Sequence, residues 1–120
     1  MNPNTRACIA YVVGILISGK RSSSVYDYSQ SKHINISGTV TENSISIYDH
    51  ERGCHFGGNG NNGRFNLYDY GGSHHVQLKI NGDQFNGYDY GASCHFSGKV
   101  NSNSISLYDY DESAYFNYSI

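Results

Sequence analysis

The chain has 120 residues, of which only 15% are charged, and its net charge of −2 leaves no basic footprint for nucleic acid. Fourteen Gly, twelve Tyr, one Pro and no Trp point to short strands and tight turns within one domain. The regular placing of aromatic and β-branched residues excludes a disordered chain.

The first element is an uncharged apolar run, Ala7 to Gly19, preceded by Arg6 and followed by Lys20-Arg21. Its length suits the apolar core of an export signal and falls short of the ~20 residues a spanning helix needs. No Ala-x-Ala site follows, and the basic pair lies on the C-terminal flank. The expectation is therefore an export signal or a membrane anchor over residues 1–21, with membrane association through residues 7–19. That would set the remaining chain outside the cell or in its envelope. The alternative is a buried first strand.

From residue 22 the chain is a repeat. Tyr-Asp-Tyr stands at 26–28, 68–70, 88–90 and 108–110, with Tyr-Asp-His at 48–50, and successive steps are 22, 20, 20 and 20 residues. A fixed short period sets the architecture before any residue is interpreted. Each unit reads as two strands around a turn. In Ser104 to Tyr110, Ile105, Leu107 and Asp109 share one face, while Ser104, Ser106, Tyr108 and Tyr110 share the other. In the second strand, His33, His55, His75, His95 and Tyr115 occupy matching places on the polar face. Ile34, Phe56, Val76, Phe96 and Phe116 follow them on the apolar one. Five half-buried hairpins result.

Asp27, Asp49, Asp69, Asp89 and Asp109 share the apolar face just before a turn. There a carboxylate can accept N–H groups two or three residues on, so these five are assigned to fixing the turn, with Gly71, Gly72 and Gly91 supplying backbone freedom. The same column chooses between two ways of stacking. A solenoid with two strands per coil would place like charges ~4.8 Å apart, with a repulsion of ~1 kcal/mol per pair even in water and no Lys or Arg column to offset it. A meander doubles the spacing, and closing it removes the free edges. The expected fold is all-β: five hairpins of about twenty residues in an antiparallel meander closed into a shallow barrel over 22–120, the β-solenoid being the alternative.

Units such as SISLYDYDESAYFNYSI and NGYDYGASCHFSGKV resemble those of the β-flower proteins, shallow barrels of radially repeated hairpins. The resemblance covers residues 22–120 and implies a fold but no activity. Five units stand here where four-fold members have four. Choline-binding repeats and curli-type subunits share the period, but the chain lacks the Trp of the first and the Gln and Asn ladders of the second.

Functional candidates follow from the faces. The His column would space its members ~10 Å apart, too far for one zinc ion. Cys54, His74 and Cys94 occupy equivalent inner places, where small residues filling a tight site is the simpler reading. No nucleophile elbow, phosphate loop or paired carboxylates occur, and repetition opposes the gathering of unlike groups that catalysis needs. No enzyme, metal or cofactor is expected. Tyr26, Tyr48, Tyr68, Tyr88 and Tyr108, with His55, His75 and His95, form a surface suited to a carbohydrate or another polar envelope ligand. A self-assembling surface protein and a membrane-anchored accessory are the alternatives.

Overall fold

In the computed structural model, which describes residues 1–120, the apolar run is a helix and not a strand: α1 spans Pro3–Ser18. Its ends are written locally. Asn2 caps the start by accepting from the N–H groups of Asn4 and Thr5, and Pro3 fits the first turn. Gly19, at φ 74°, closes the other end by donating its N–H to Ile15 O at 2.9 Å. No side of α1 is polar through its middle, so it needs apolar cover all round.

The ten strands supply that cover. They are β1 (Ser24–Asp27), β2 (Lys32–Val40), β3 (Ser44–Asp49), β4 (Cys54–Asn61), β5 (Arg64–Asp69), β6 (His74–Asn81), β7 (Gln84–Asp89), β8 (Cys94–Asn101), β9 (Ser104–Asp109) and β10 (Ala114–Ser119). All run as an antiparallel meander, and β1 pairs with β10 (Tyr26 opposite Ser119, Asp27 opposite Tyr118) to close a barrel. Helix α1 lies inside it, with Thr5 to Gly14 buried. A 16-residue helix is roughly 24 Å long at about 1.5 Å per residue, which matches a molecule measuring 29 × 28 × 27 Å. Residues 1–21 and 22–120 thus share one core, in which Cys8, Ile9, Val12 and Val13 meet Val25, Ile36, Ile47, Phe56, Leu67 and Leu107.

The two barrel ends differ in their turns. At the end holding the helix N-terminus, each Asp is followed four residues later by a left-handed residue: Ser31, Gly53, Ser73, Ser93 and Ser113, with φ from 52° to 68°. From sequence alone that freedom falls to Gly71, Gly72 and Gly91, but none of these has a positive φ. Serine tolerates the strain in four units because the preceding Asp fixes the turn from the side. At the far end, Asn62-Gly63 (φ 54° and 76°) makes the tight two-residue connection that Asn-Gly favours.

Inside the wall, glycine marks where strands come too close for a side chain. A Cβ on Gly98 would lie 1.9 Å from Ser106 O, and Phe85 lays its ring over the vacant place. Gly87 and Phe96 repeat the arrangement one strand away, with 2.4 Å from a would-be Cβ to Phe96 Cζ. Each phenylalanine restores on one strand the apolar volume its neighbour omits.

Candidate functional site

All five repeat aspartates are buried, at 0–1% exposure, in a ring around the N-terminal turn of α1. In every unit one carboxylate oxygen serves the turn. Asp27 accepts from Ser29 N (2.9 Å), Asp49 from Glu51 N (2.9 Å), Asp69 from Gly71 N (2.9 Å), Asp89 from Gly91 N (2.8 Å) and Asp109 from Asp111 N (2.9 Å).

The further partners of these carboxylates do not follow the repeat. Gln30 Nε2 donates to Asp27 at 2.7 Å. Arg52 reaches Asp49 at 2.7 Å through Nε and Asp69 at 3.1 Å through a terminal nitrogen. Asn4 donates to Asp49 at 3.2 Å, and the Thr5 hydroxyl donates to Asp69. His74 Nδ1 lies 3.0 Å from Asp89. Arg6, stacked 3.7 Å from the Phe116 ring centroid, meets Asp109 at 3.0 Å, as does the Met1 amine at 3.2 Å. No cationic column offsets the aspartates, so the compensation comes from side chains that do not follow the period and from the positive end of the helix dipole. Burial alone would push the carboxyls of Asp69 and Asp109 up. For Asp69 the Thr5 hydroxyl and Arg52 outweigh it, and for Asp109 the Met1 amine and the turn N–H groups do, so both are held below the usual carboxylate range.

The inner cysteines are free thiols, and no disulfide joins Cys54 to Cys94. Burial and the neighbouring carboxylates push the Cys94 thiol up to about 11 and Cys8 further still. Neither resembles an activated nucleophile, which needs a lowered pKa. Cys54, His74 and Cys94 stand opposite Asp49, Asp69 and Asp89 in their hairpins, so they are spread around the ring rather than brought together. No cluster of three His, Cys, Asp or Glu side chains is arranged to hold a metal ion.

On the outside, Tyr26, Tyr48, Tyr68 and Tyr88 each sit opposite a histidine (His33, His55, His75 and His95), and Tyr108 sits opposite Tyr115. Every one of these pairs is edge-to-face, with centroids 4.8–4.9 Å apart. Each central tyrosine also meets the second ring of its tripeptide at 4.7–5.0 Å. The central tyrosines are thus half-buried and already flanked by two rings. The open rings are Tyr28, Tyr70, Tyr90, Tyr110 and Tyr115, all more than half exposed, so the third position of the tripeptide and not the first carries the exposed ring.

The belt is not uniform around the barrel. Over β5–β8 the outer side chains wall a groove of about 640 Å³, in which Asn66, Gln77, Asn86 and Ser97 adjoin Tyr88, His95 and Tyr110. Ser97 Oγ lies 3.3 Å from Tyr110 Oη, which ties one wall in place. A neighbouring depression of about 490 Å³ includes His75, Gln77 and Tyr90. Of the residues singled out as ligand contacts, Tyr88 and His95 line the first and His75 the second. Tyr26, Tyr48, Tyr68, Tyr108 and His55 line neither. Compared with protein-family models, curated proteins and solved structures, the chain finds no match.

Proposed function

We propose that the protein is a non-catalytic binding module whose ligand, a carbohydrate in kind, lies in the groove over β5–β8. The observation that carries this reading is the composition of the groove: side-chain amides of Asn66, Gln77 and Asn86 set beside the rings of Tyr88, His95 and Tyr110. Amides and hydroxyls match the donors and acceptors of a sugar, and an exposed ring such as Tyr110 (54% exposed) matches its apolar face. Every ring carboxylate accepts a turn N–H, a structural task that favours binding over chemistry.

Residues 1–21 are read here as the barrel's core rather than as a leader. Ala7 to Val13 are covered to within 2% exposure, leaving no apolar face for a bilayer, and no helix is long and apolar enough to cross a membrane. A glycan ligand would set the module to work at the cell envelope or outside the cell. Kinship with the β-flower proteins is proposed at the level of the hairpin repeat alone. Self-assembly by strand addition is disfavoured because a closed barrel offers no free edge.

The test is a glycan panel followed by titration of three variants. Tyr88→Ala and Asn86→Ala should each weaken binding by about ten-fold or more, the loss of roughly one good polar or stacking contact. Tyr48→Ala removes the same belt position where no groove exists and should leave affinity unchanged. Equal losses in Tyr88→Ala and Tyr48→Ala, or no binding to any glycan, would overturn the assignment.

A further inference from the structure

We propose that the sugar held in this groove is acidic, carrying a carboxylate or sulfate that Arg64 and Lys79 grip together. The inference rests on the groove reading above and names its ligand class. Arg64 on β5 and Lys79 on β6 stand directly opposite each other in the hairpin, and both line the groove. Like charges in that relation destabilise a sheet, and opposite charges are the usual solution. Yet the ion pairs of the molecule involve Met1, Arg6, Lys32, Arg52 and His74, and none involves Arg64, Lys79 or Lys99. Lys99 continues the line on β8, sharing with Lys79 a depression of about 340 Å³ that adjoins the groove.

The chain's acids are placed to leave this line unneutralised. Five aspartates are consumed in the inner ring, and Glu51, Asp111 and Glu112 belong to the turns of the same end. Only Glu42 and Asp83 stand at the far-end turns, and neither pairs with a groove cation. A protein of net charge −2 therefore presents a local cationic strip at one end of a groove whose other end is aromatic and whose middle is amide. An arginine next to a lysine suits a planar carboxylate or a sulfate, the first by its fork and the second by its point charge. A neutral sugar would leave both cations facing one another.

The experiment uses the full chain in 0.15 M salt and titrates it with tetrasaccharides of a uronic acid and of the neutral parent sugar. The uronate should bind at least ten-fold more tightly. The Arg64→Gln/Lys79→Gln double variant should lose that preference with an unfolding midpoint equal to or above that of the unaltered chain, and Arg64→Lys should keep part of it. Lys20→Gln/Arg21→Gln removes the same net charge away from the groove and should change affinity less than two-fold. Equal binding of both sugars would overturn the acidic inference and leave the groove reading standing. Binding of neither would overturn both. Anionic vesicles or a single-stranded oligonucleotide bound as tightly as the uronate, or an equal loss in the Lys20/Arg21 variant, would reveal general anion attraction and overturn the inference.

Discussion

Five aspartates point into the barrel and five tyrosines point out of it from adjacent positions of one repeat, yet the two rings are completed in opposite ways. Outside, each tyrosine meets two rings, Tyr or His, edge-to-face at nearly the same distance, five times. Inside, Gln30, Arg52, His74 and Arg6 each answer a different aspartate, and Thr5 and Asn4 come from the helix. The cause is geometric. A single helix has no five-fold symmetry, so whatever faces it must vary, whereas solvent is the same on all sides. Repetition of the backbone therefore dictates repeated chemistry only where the surroundings repeat.

The largest effect expected from breaking this arrangement is removal of residues 1–21. With Ala7 to Val13 gone the barrel loses its central apolar filling, and cavities of that size are not tolerated in a close-packed core. The truncated chain should show no cooperative thermal transition and should bind a hydrophobic dye, as measured by calorimetry and fluorescence. A sharp transition near that of the full chain would show that the barrel stands without α1.

Next comes Arg6→Met, which leaves Asp109 short of a buried partner (Arg6 is 5% exposed). The expected cost is ~3 kcal/mol in chemical denaturation, as for a broken buried ion pair, and adding Asp109→Asn should recover part of it. Arg52→Met should cost less, because that side chain keeps 17% of its exposure. Losses of equal size would mean the ring is indifferent to depth.

Acid should act on the same ring. The carboxyls of Asp69 and Asp109 are held below their ordinary value in the fold. Their contribution is therefore fully present above the unfolded pKa of ~3.9 and is lost as pH falls through the lower folded value. Urea midpoints measured from pH 6 to pH 2 should hold steady to about pH 4–5 and then fall, and Asp69→Asn should flatten that descent. A midpoint that rose on acidification would contradict the sign.

The smallest effect sharpens the contrast most. Tyr68→Leu, Tyr88→Leu and Tyr108→Leu should each cost ~1 kcal/mol, the worth of the lost aromatic contacts, with little spread among them. The corresponding series Asp69→Asn, Asp89→Asn and Asp109→Asn should scatter widely. Comparable scatter in both series would dissolve the distinction between the two faces.

Much of this was legible in the residues. Alternation placed Ile105 and Leu107 inward and Tyr108 outward, and the repulsion of an aspartate column pointed to the meander. The helix was not legible as core, for a physical reason: a segment covered by apolar side chains on every side has the same composition as one covered by lipid. Nor were the partners of the aspartates, since Thr5 and Asp69, or Arg6 and Asp109, lie far apart in the chain and follow no period. The opposition of Arg64 and Lys79 could have been found, because the four-residue turn 70–73 sets Asp69 opposite His74 and so fixes the register of that hairpin.

The pairing of β1 with β10 has a consequence for how the molecule is made. The barrel cannot shut until its last strand has left the ribosome, because the first strand's outer partner is the final one. Helix α1 emerges before every strand and must keep an apolar surface from Ala7 to Val13 uncommitted through the synthesis of about a hundred further residues. Ring closure over that span carries a late entropic cost and a slow final step. During that interval the nascent helix is the part of the molecule most in need of a chaperone.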